Sequence, residues 1–590
     1  MRNGQKKDES FDSLGYRRET VPWLYRGLRV VMTAGIKAFY NTVETHDEGA
    51  VPPPGECTLV CVNHGNSLTD AVVTVSQFPR MVRLTAKDSL WKQAYFGMWV
   101  RGVGTIPIQR RHEHGANADN KASMKFLYEA LCKGQAACLF PEGISRYQSG
   151  LAPLKPGVGR IFLEVLRREH EAGNLSFTAN VVTCAITYLH REKFRTDVGV
   201  AFAKPVTVTA AEYPALVSGE GEGEEAARRI MAKVAERLRQ DTLSATDWDT
   251  LLAAHVARGL FAPLGTRISL HQHIRLTQQL VKVFGVLRPQ EAEQRRLSRA
   301  NSDPDIPAGN AEATEEEVEE VEVLKQALLD YQLGLKKLGV PDSLLREKKA
   351  HPSLLLLGCT VRAVWSGVLF TLAAPGTAVL SPLFGAGKAL ELWLQRGNSG
   401  PRMVRNMDEV AQYKLGVGCL LAPLLTAAAA GGLWLKLGVP TLLSPPAALL
   451  WLWMTVRWLE DGVACANGCI GLWRLLWRGQ KADELRAVRA SLVPRVGRLA
   501  RAQGVPDPER LLAEAPPRWR DRGHLASLVS YFSLKRRRKK EWGEALHLGH
   551  VAYDYPNEVL RNMQERQGSG TGAEGGAATA SAPGGHDKTA

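Results

Sequence analysis

The sequence predicts an α/β domain, a mixed sheet flanked by helices, followed by helical regions and C-terminal membrane-embedded hairpin helices. Three observations carry that expectation. Between about residues 56 and 210, short apolar runs alternate with stretches of helical period, as strands and helices do when they share one core. Residues 285–323 turn polar, basic and then acidic, a composition that buries too little apolar surface to fold alone. Beyond them, residues 415–435 and 437–456 form uncharged runs of 21 and 20 residues, each close to the ~20 needed to cross a hydrocarbon core.

The bulk composition agrees. The chain has 590 residues, 45% apolar and 23% charged, enough for several domains with a real core. Its formal charge of +15 suits nucleic acid, anionic lipid or an anionic substrate. Fourteen Trp, many beside apolar runs, favour a membrane interface and argue against a nucleic-acid partner. Nine scattered Cys form no CxxC pairs or His clusters, so no metal site is expected, and reduced thiols in a cytosol-facing protein are.

The elements follow in order. Residues 1–20 read as a polar tail that is no signal peptide. Residues 21–45 read as an interfacial amphipathic helix, aromatic and basic together. Residues 46–284 read as the α/β domain with a helical extension. Its expected strands are "CTLVCV", "VRLTA", "AACLF", "TANVVTCAITYL" and "VGVAFAKPV", and its helices "NKASMKFLYEALCKG" and "GVGRIFLEVLRREHEAG". Residues 285–323 read as a disordered linker carrying Ser298 and Ser302 near Arg as phosphorylation candidates, and 324–350 as a helical connector. Residues 351–480 read as membrane hairpins and a flanking helix; 363–387, broken by Pro375, Gly376, Pro382 and Gly385, reads as a second hairpin or re-entrant piece. Lys414 and Arg457 bracket the first hairpin, which places both its ends in the cytosol. Residues 481–565 read as a basic helical region whose "LKRRRKK" suits anionic headgroups. The Gly/Ala/Ser-rich 566–590 reads as a disordered tail.

The chemistry starts at "CTLVCVNHGNSLTD". His64 and Asp70 are six residues apart, about 240° around a single helix and therefore on different faces. They meet if His64 sits in the turn after a strand and Asp70 in the first turns of the next helix. The pair then either catalyses, Asp70 fixing one imidazole nitrogen while the other takes a proton, or it simply closes a polar turn. In "GVGTIPIQRR", Arg110 follows an apolar edge and suits phosphate. In "ACLFPEGISRYQSGLAPLKPGVGR", a strand ends at Pro141-Glu142-Gly143, and a Gly-rich turn opens a helix near 157, where backbone N–H groups can face an anion. Glu142 is expected to grip hydroxyls, and Arg146 and Lys155 to hold phosphate.

Taken together, "NHGNSLTD", "GTIPIQR" and "FPEGIS" resemble the glycerolipid acyltransferase superfamily that includes bacterial lysophosphatidate acyltransferases. One residue more than the superfamily's usual NH-x4-D, together with "IPIQR", resembles the fungal-type glycerol-3-phosphate O-acyltransferases that also accept dihydroxyacetone phosphate. "ITYLHREKFRTDVGVAFAKPV", "DWDTLLAAHVARGLF" and "GTRISLHQHIRLTQQLVKVFG" are similar to that subgroup, and the resemblance covers most of residues 21–460. It implies His64 as general base and Asp70 as its orienting partner. It implies substrate contacts from Arg110, Glu142, Gly143 and Ser145, and Asn66, Arg146 and Lys155 complete the expected substrate-binding set. Arg146-Tyr147 stands where the fungal pattern has His-Asp, so the acceptor contacts there differ. Tyr188, Phe194 and Arg195 match a fourth block. The implied reaction is transfer from acyl-CoA to glycerol 3-phosphate or dihydroxyacetone phosphate, with no cofactor besides that co-substrate and no metal, at the endoplasmic reticulum membrane. A lysophospholipid acyltransferase and a non-catalytic membrane scaffold are the alternative expectations.

Overall fold

The computed structural model describes residues 22–92, 97, 100, 103–109, 114–115, 119–218, 223–264, 267–285, 315–346, 350–396 and 408–514. The two tails, Ser298, Ser302, Arg110 and the 534–540 basic cluster lie outside them.

Strand β2 (Cys57–Val62) is buried along its whole length, as a central strand covered on both faces must be. Its side chains alternate. Cys57, Leu59 and Cys61 join one core with α3 (Lys121–Cys132), α4 (Gly157–Glu171) and α6 (Glu224–Asp241). Val60 and Val62 join the opposite core with α1 (Pro22–Phe39) and α2 (Ser67–Gln77). The remaining strands are β1 (Thr42–His46), β3 (Val82–Lys87), β4 (Ile106–Ile108), β5 (Ala136–Leu139), β6 (Thr178–Tyr188), β7 (Asp197–Phe202) and β8 (Val206–Thr209). The sheet order is β1-β7-β6-β2-β5-β3-β4, with β8 on β6. It is mixed: β6 runs antiparallel to β7 and β8, whereas β6, β2, β5, β3 and β4 run parallel. The carboxyl ends of β2, β5 and β6 therefore open at one edge, where α/β sheets place their sites.

Several expected boundaries move. The 21–45 helix ends at Phe39, and Thr42–His46 is a strand paired with β7, so the α/β domain starts before residue 46. Helix α1 is also part of the core: Tyr25, Leu28, Ile36 and Phe39 are buried, while Trp23, Val30 and Val31 remain exposed. "VGVAFAKPV" is two strands, β7 and β8, rather than one.

After the short α5 (Tyr213–Val217), helices α7 (Trp248–Phe261) and α8 (Leu270–Phe284) complete this part of the chain. Each is capped at its start, α7 by Asp247 and α8 by a Ser269–Gln272 capping box. The next helix, α9, covers Glu315–Leu338, so residues 315–323 are helical where a linker was expected. Val318, Val321, Leu324 and Leu328 are buried and recur at helical spacing. The acidic residues between them are what made the stretch read as disordered.

After α10 (Asp342–Arg346) comes α11 (Pro352–Arg396), a single 45-residue helix through Pro375 and Pro382 rather than a second hairpin. It packs antiparallel on α13 (Ser444–Trp477). Ser366 donates to the Gly462 carbonyl at 3.0 Å, and a Cβ on Gly376 would strike Thr455. Small residues let apolar helices approach this closely, and lipid surroundings tolerate Pro within them. Between them α12 (Val410–Leu437) turns through 438–443 into α13. Two stretches, Pro352–Leu394 and Val410–Leu437, are long and apolar enough to cross a membrane. Leu354, Leu357, Trp365, Leu420, Leu424 and Leu435 on them are exposed, the opposite of a soluble core helix. The expected span 437–456 is instead the turn and the first part of α13, a helix that carries buried Arg457 and Glu460 further on. Helices α14 (Gly479–Ala502) and α15 (Pro508–Glu514) close the described part.

Candidate active site

The site begins where β2 stops. The Asn63 side chain continues the ladder in place of a backbone: its Nδ2 donates to the Ile186 carbonyl at 2.9 Å, and its Oδ1 accepts from the Ile186 N–H at 2.7 Å. His64 then leaves the sheet. Its backbone N–H donates to Glu142 at 2.6 Å, and its ring stacks on Phe140, centroids 4.3 Å apart. Phe140 follows β5, which runs parallel to β2 with Cys61 beside Leu139. That register delivers both segments to one place.

Asp70 lies in the first turn of α2, fully buried, with Oδ2 3.0 Å from His64 Nδ1. The same oxygen accepts from the Asn66 N–H at 2.8 Å, and Oδ1 accepts from the Tyr188 hydroxyl at 2.7 Å. Three donors hold this buried carboxylate. An ionised carboxylate only accepts, so against it a neutral imidazole carries its proton on Nδ1 and its lone pair on Nε2. The His64 side chain keeps 12% of its surface exposed. Burial and the Asp70 charge push the Tyr188 hydroxyl well above its ordinary pKa, keeping it a donor. A Tyr188→Phe protein removes one charge-assisted bond to Asp70, and its kcat is expected to fall about tenfold, measured against wild type under saturating substrate.

The other expected residues fall as follows. Asn66 is fully buried at the head of α2; its amide donates to the Arg191 carbonyl at 3.2 Å and to the Tyr40 hydroxyl at 3.4 Å. Glu142 is also buried, and its two oxygens accept from the backbone of His64 and, at 3.1 Å, of Ala152. It therefore ties the His64 turn to the segment before α4. Gly143 has φ +76°, and a Cβ there would come within 2.6 Å of Lys155 Nζ, so a glycine is required at this turn. Lys155 and Arg146 are exposed beside the turn. Ser145 Oγ accepts from the Ser67 N–H at 3.0 Å. Arg195, from the fourth block, is buried and ion-paired to Glu460 of α13. Among the described residues, no cluster of three His, Cys, Asp or Glu side chains could hold a metal.

Cys61 carries no nucleophilic character. It is fully buried, and burial pushes its thiol up to about 12, which leaves almost no thiolate at neutral pH. Cys61→Ala is expected to keep kcat within about twofold of wild type in the same assay.

Sequence reasoning missed the contribution of the C-terminal helices. Gln412, in the first turn of α12, accepts from the Leu68 N–H at 3.1 Å. Lys414 donates to the Glu192 carbonyl at 3.0 Å and pairs with Glu391 of α11 at 2.8 Å. Asp408, just before α12, is 4% exposed and adjoins Ser145. No motif marks these positions, which lie more than 300 residues from the His64 turn.

A buried, triply held carboxylate beside a histidine at a sheet edge is an arrangement that can serve as a general base. The acyltransferase family model matches residues 42–187, the segment that builds this pair. These residues match the acyltransferase domain family. The chain is 23% identical over 317 residues to glycerol-3-phosphate O-acyltransferase 1 of Saccharomyces cerevisiae, covering 53% of this chain and 37% of that protein. Against glycerol-3-phosphate O-acyltransferase 2 of the same yeast it is 24% identical over 321 residues, covering 53% and 38%. An uncharacterized acyltransferase of Schizosaccharomyces pombe is 20% identical over 482 residues, covering 67% of this chain and 66% of that one. The matches thus span little more than a third of either Saccharomyces protein. Among solved structures, the 1-acyl-sn-glycerophosphate acyltransferase PlsC of Thermotoga maritima aligns at 15% identity and TM-score 0.27, over 37% of this chain and 80% of that one.

Proposed function

We propose that this acyltransferase domain makes the chain a membrane-bound, acyl-CoA-dependent sn-1 acyltransferase. It converts glycerol 3-phosphate to 1-acylglycerol 3-phosphate, the first step of phospholipid and triacylglycerol synthesis, and also accepts dihydroxyacetone phosphate. The observation that carries this reading is the 3.0 Å His64–Asp70 contact, with Nε2 left as a base. The names of the two yeast relatives supply the acceptor class.

In this mechanism Nε2 takes the proton of the sn-1 hydroxyl as its oxygen attacks the thioester carbon. The imidazolium that forms is stabilised by Asp70 through Nδ1–H. The tetrahedral intermediate collapses with loss of the CoA thiolate, and the imidazolium returns the proton to that sulfur. The products are the ester and CoA, with no covalent enzyme intermediate. A base positioned in this way contributes about 10²–10⁴-fold. Arg146 and Lys155 would meet the acceptor phosphate, and Arg110 joins them by its motif alone.

The two long apolar helices suit a substrate and product that partition into the bilayer. Both ends of the α12–α13 hairpin meet the acyltransferase domain, through Gln412 and through Glu460. The domain and both ends would then share one side of the membrane, the cytosolic face of the endoplasmic reticulum on this reading. The test is a panel of acceptors offered with labelled acyl-CoA to membranes containing the protein. Acylation of glycerol 3-phosphate is expected, and acylation of lysophosphatidate alone would overturn the assignment.

A further inference from the structure

The segment entering α12 reaches the catalytic turn from outside the acyltransferase domain. Gln412 takes the Leu68 N–H, and Ser145 Oγ takes the Ser67 N–H, so the first turn of α2, which also carries Asp70, is closed over by side chains of two other segments. Asp408 stands at this junction, 4% exposed. The Ser145 hydroxyl faces its carboxyl, and His64 and Asp70 are near enough for their charges to act on it. Its Oδ1 is buried and has no hydrogen-bond partner among the described residues. A buried carboxylate oxygen without a donor is costly unless something supplies one. Asp408 takes no part in the proton transfer described above, and Asp70 already has its donors. What remains is a hydrogen-bond acceptor at the junction of α12 with the catalytic turn.

Resting on the acceptor class proposed above, we infer that Asp408 Oδ1 accepts a hydrogen bond from the acceptor's second hydroxyl, adjacent to the one His64 deprotonates. A carboxylate can only accept. It suits the secondary alcohol of glycerol 3-phosphate and repels the ketone oxygen that dihydroxyacetone phosphate carries at the same carbon. Asp408 is thus a specificity residue that binds substrate and forms no covalent bond, and it belongs to the membrane part of the chain.

The test compares kcat/KM for the two acceptors, using full-length protein in phosphatidylcholine vesicles at about pH 8, well above the ordinary carboxylate range, because burial raises Asp408 from it. Asp408→Asn keeps the shape and adds an N–H donor. The ratio of the two acceptors is measured within one preparation, so the folded fraction cancels. Wild type is expected to favour glycerol 3-phosphate. Asp408→Asn is expected to move the ratio toward dihydroxyacetone phosphate by about tenfold or more, the factor one charge-assisted hydrogen bond commands. Asp408→Ala is expected to lose preference by raising KM for glycerol 3-phosphate. A ratio within about twofold of wild type in the Asn variant, or a wild-type preference for the ketone, overturns the inference while leaving the acyltransferase reading intact. Wild-type protein that acylates neither acceptor overturns both.

Discussion

His64→Ala is expected to lower kcat by about 10²–10⁴-fold, the range a positioned general base supplies, with KM for acyl-CoA little changed. The loss falls on kcat because Nε2 bonds to the acceptor proton most strongly as that proton leaves. The fold survives the change. Asp70 keeps the Asn66 N–H and the Tyr188 hydroxyl, so no buried charge is stranded, and what is lost is the Nδ1 bond to Asp70 and the Phe140 stacking contact. Asp70→Asn is expected to fall within the same range for a different reason. An amide can turn its NH2 toward Nδ1, which favours the tautomer with its proton on Nε2, and that nitrogen then cannot act as a base. Steady-state kinetics of the two variants, with circular dichroism confirming the fold, checks both.

Glu460→Ala is expected to be strongly destabilising. Glu460 lies in α13, 1% exposed, and pairs with Arg195 of the acyltransferase part and, at 3.3 Å, with Arg457 of its own helix. Both guanidinium groups also lie over the Trp453 ring. Arg195 itself holds a left-handed backbone, φ +63°, a conformation a residue with a Cβ adopts only when its surroundings impose it. Its bonds to the carbonyls of Ala38 and Tyr40 and to Asn41 supply that constraint. Removing the carboxylate takes a buried charged partner from both Arg195 and Arg457, a change of the kind that costs about 3–5 kcal/mol. Thermal unfolding in detergent is expected to show a lowered midpoint. Replacing Arg195, Arg457 and Glu460 together with apolar residues of similar volume is expected to restore much of it. A midpoint unchanged by Glu460→Ala would remove this junction as the tether of the C-terminal helices.

The fold was legible wherever period and punctuation agreed. β2, β5 and β6 are apolar runs closed by Asn63, Pro141 and the polar "HREK", and α4 opens at the Gly-rich turn. The His64–Asp70 spacing required a strand, a turn and a helix, and the structure has that sequence of elements. β1 was hidden because "TVETH" follows an apolar helix directly and is only half-buried at the sheet edge. β4 is three residues long, too short to show a period. Helix α11 was misread because Pro375 and Pro382 break helices in water, whereas lipid and close helix packing accommodate them.

The site was legible as chemistry and less so as geometry. Residue type and spacing pointed to the base and its partner. They did not show that Glu142 spends its oxygens on the backbone of His64 and Ala152. Nor did they show that Tyr188 donates to Asp70 across the sheet edge. Asp408 and Gln412 could not be read at all, because their role arises from how α12 docks on α2 and no local pattern encodes that contact.

The most direct test of the central claim is product analysis by mass spectrometry. Purified protein in vesicles is mixed with acyl-CoA and glycerol 3-phosphate, beside the His64→Ala variant. The expected result is 1-acylglycerol 3-phosphate and CoA in equal amounts from wild type, with neither formed above background by the variant. Equal rates of 1-acyl product from both proteins, or free fatty acid as the only acyl product of wild type, would contradict it.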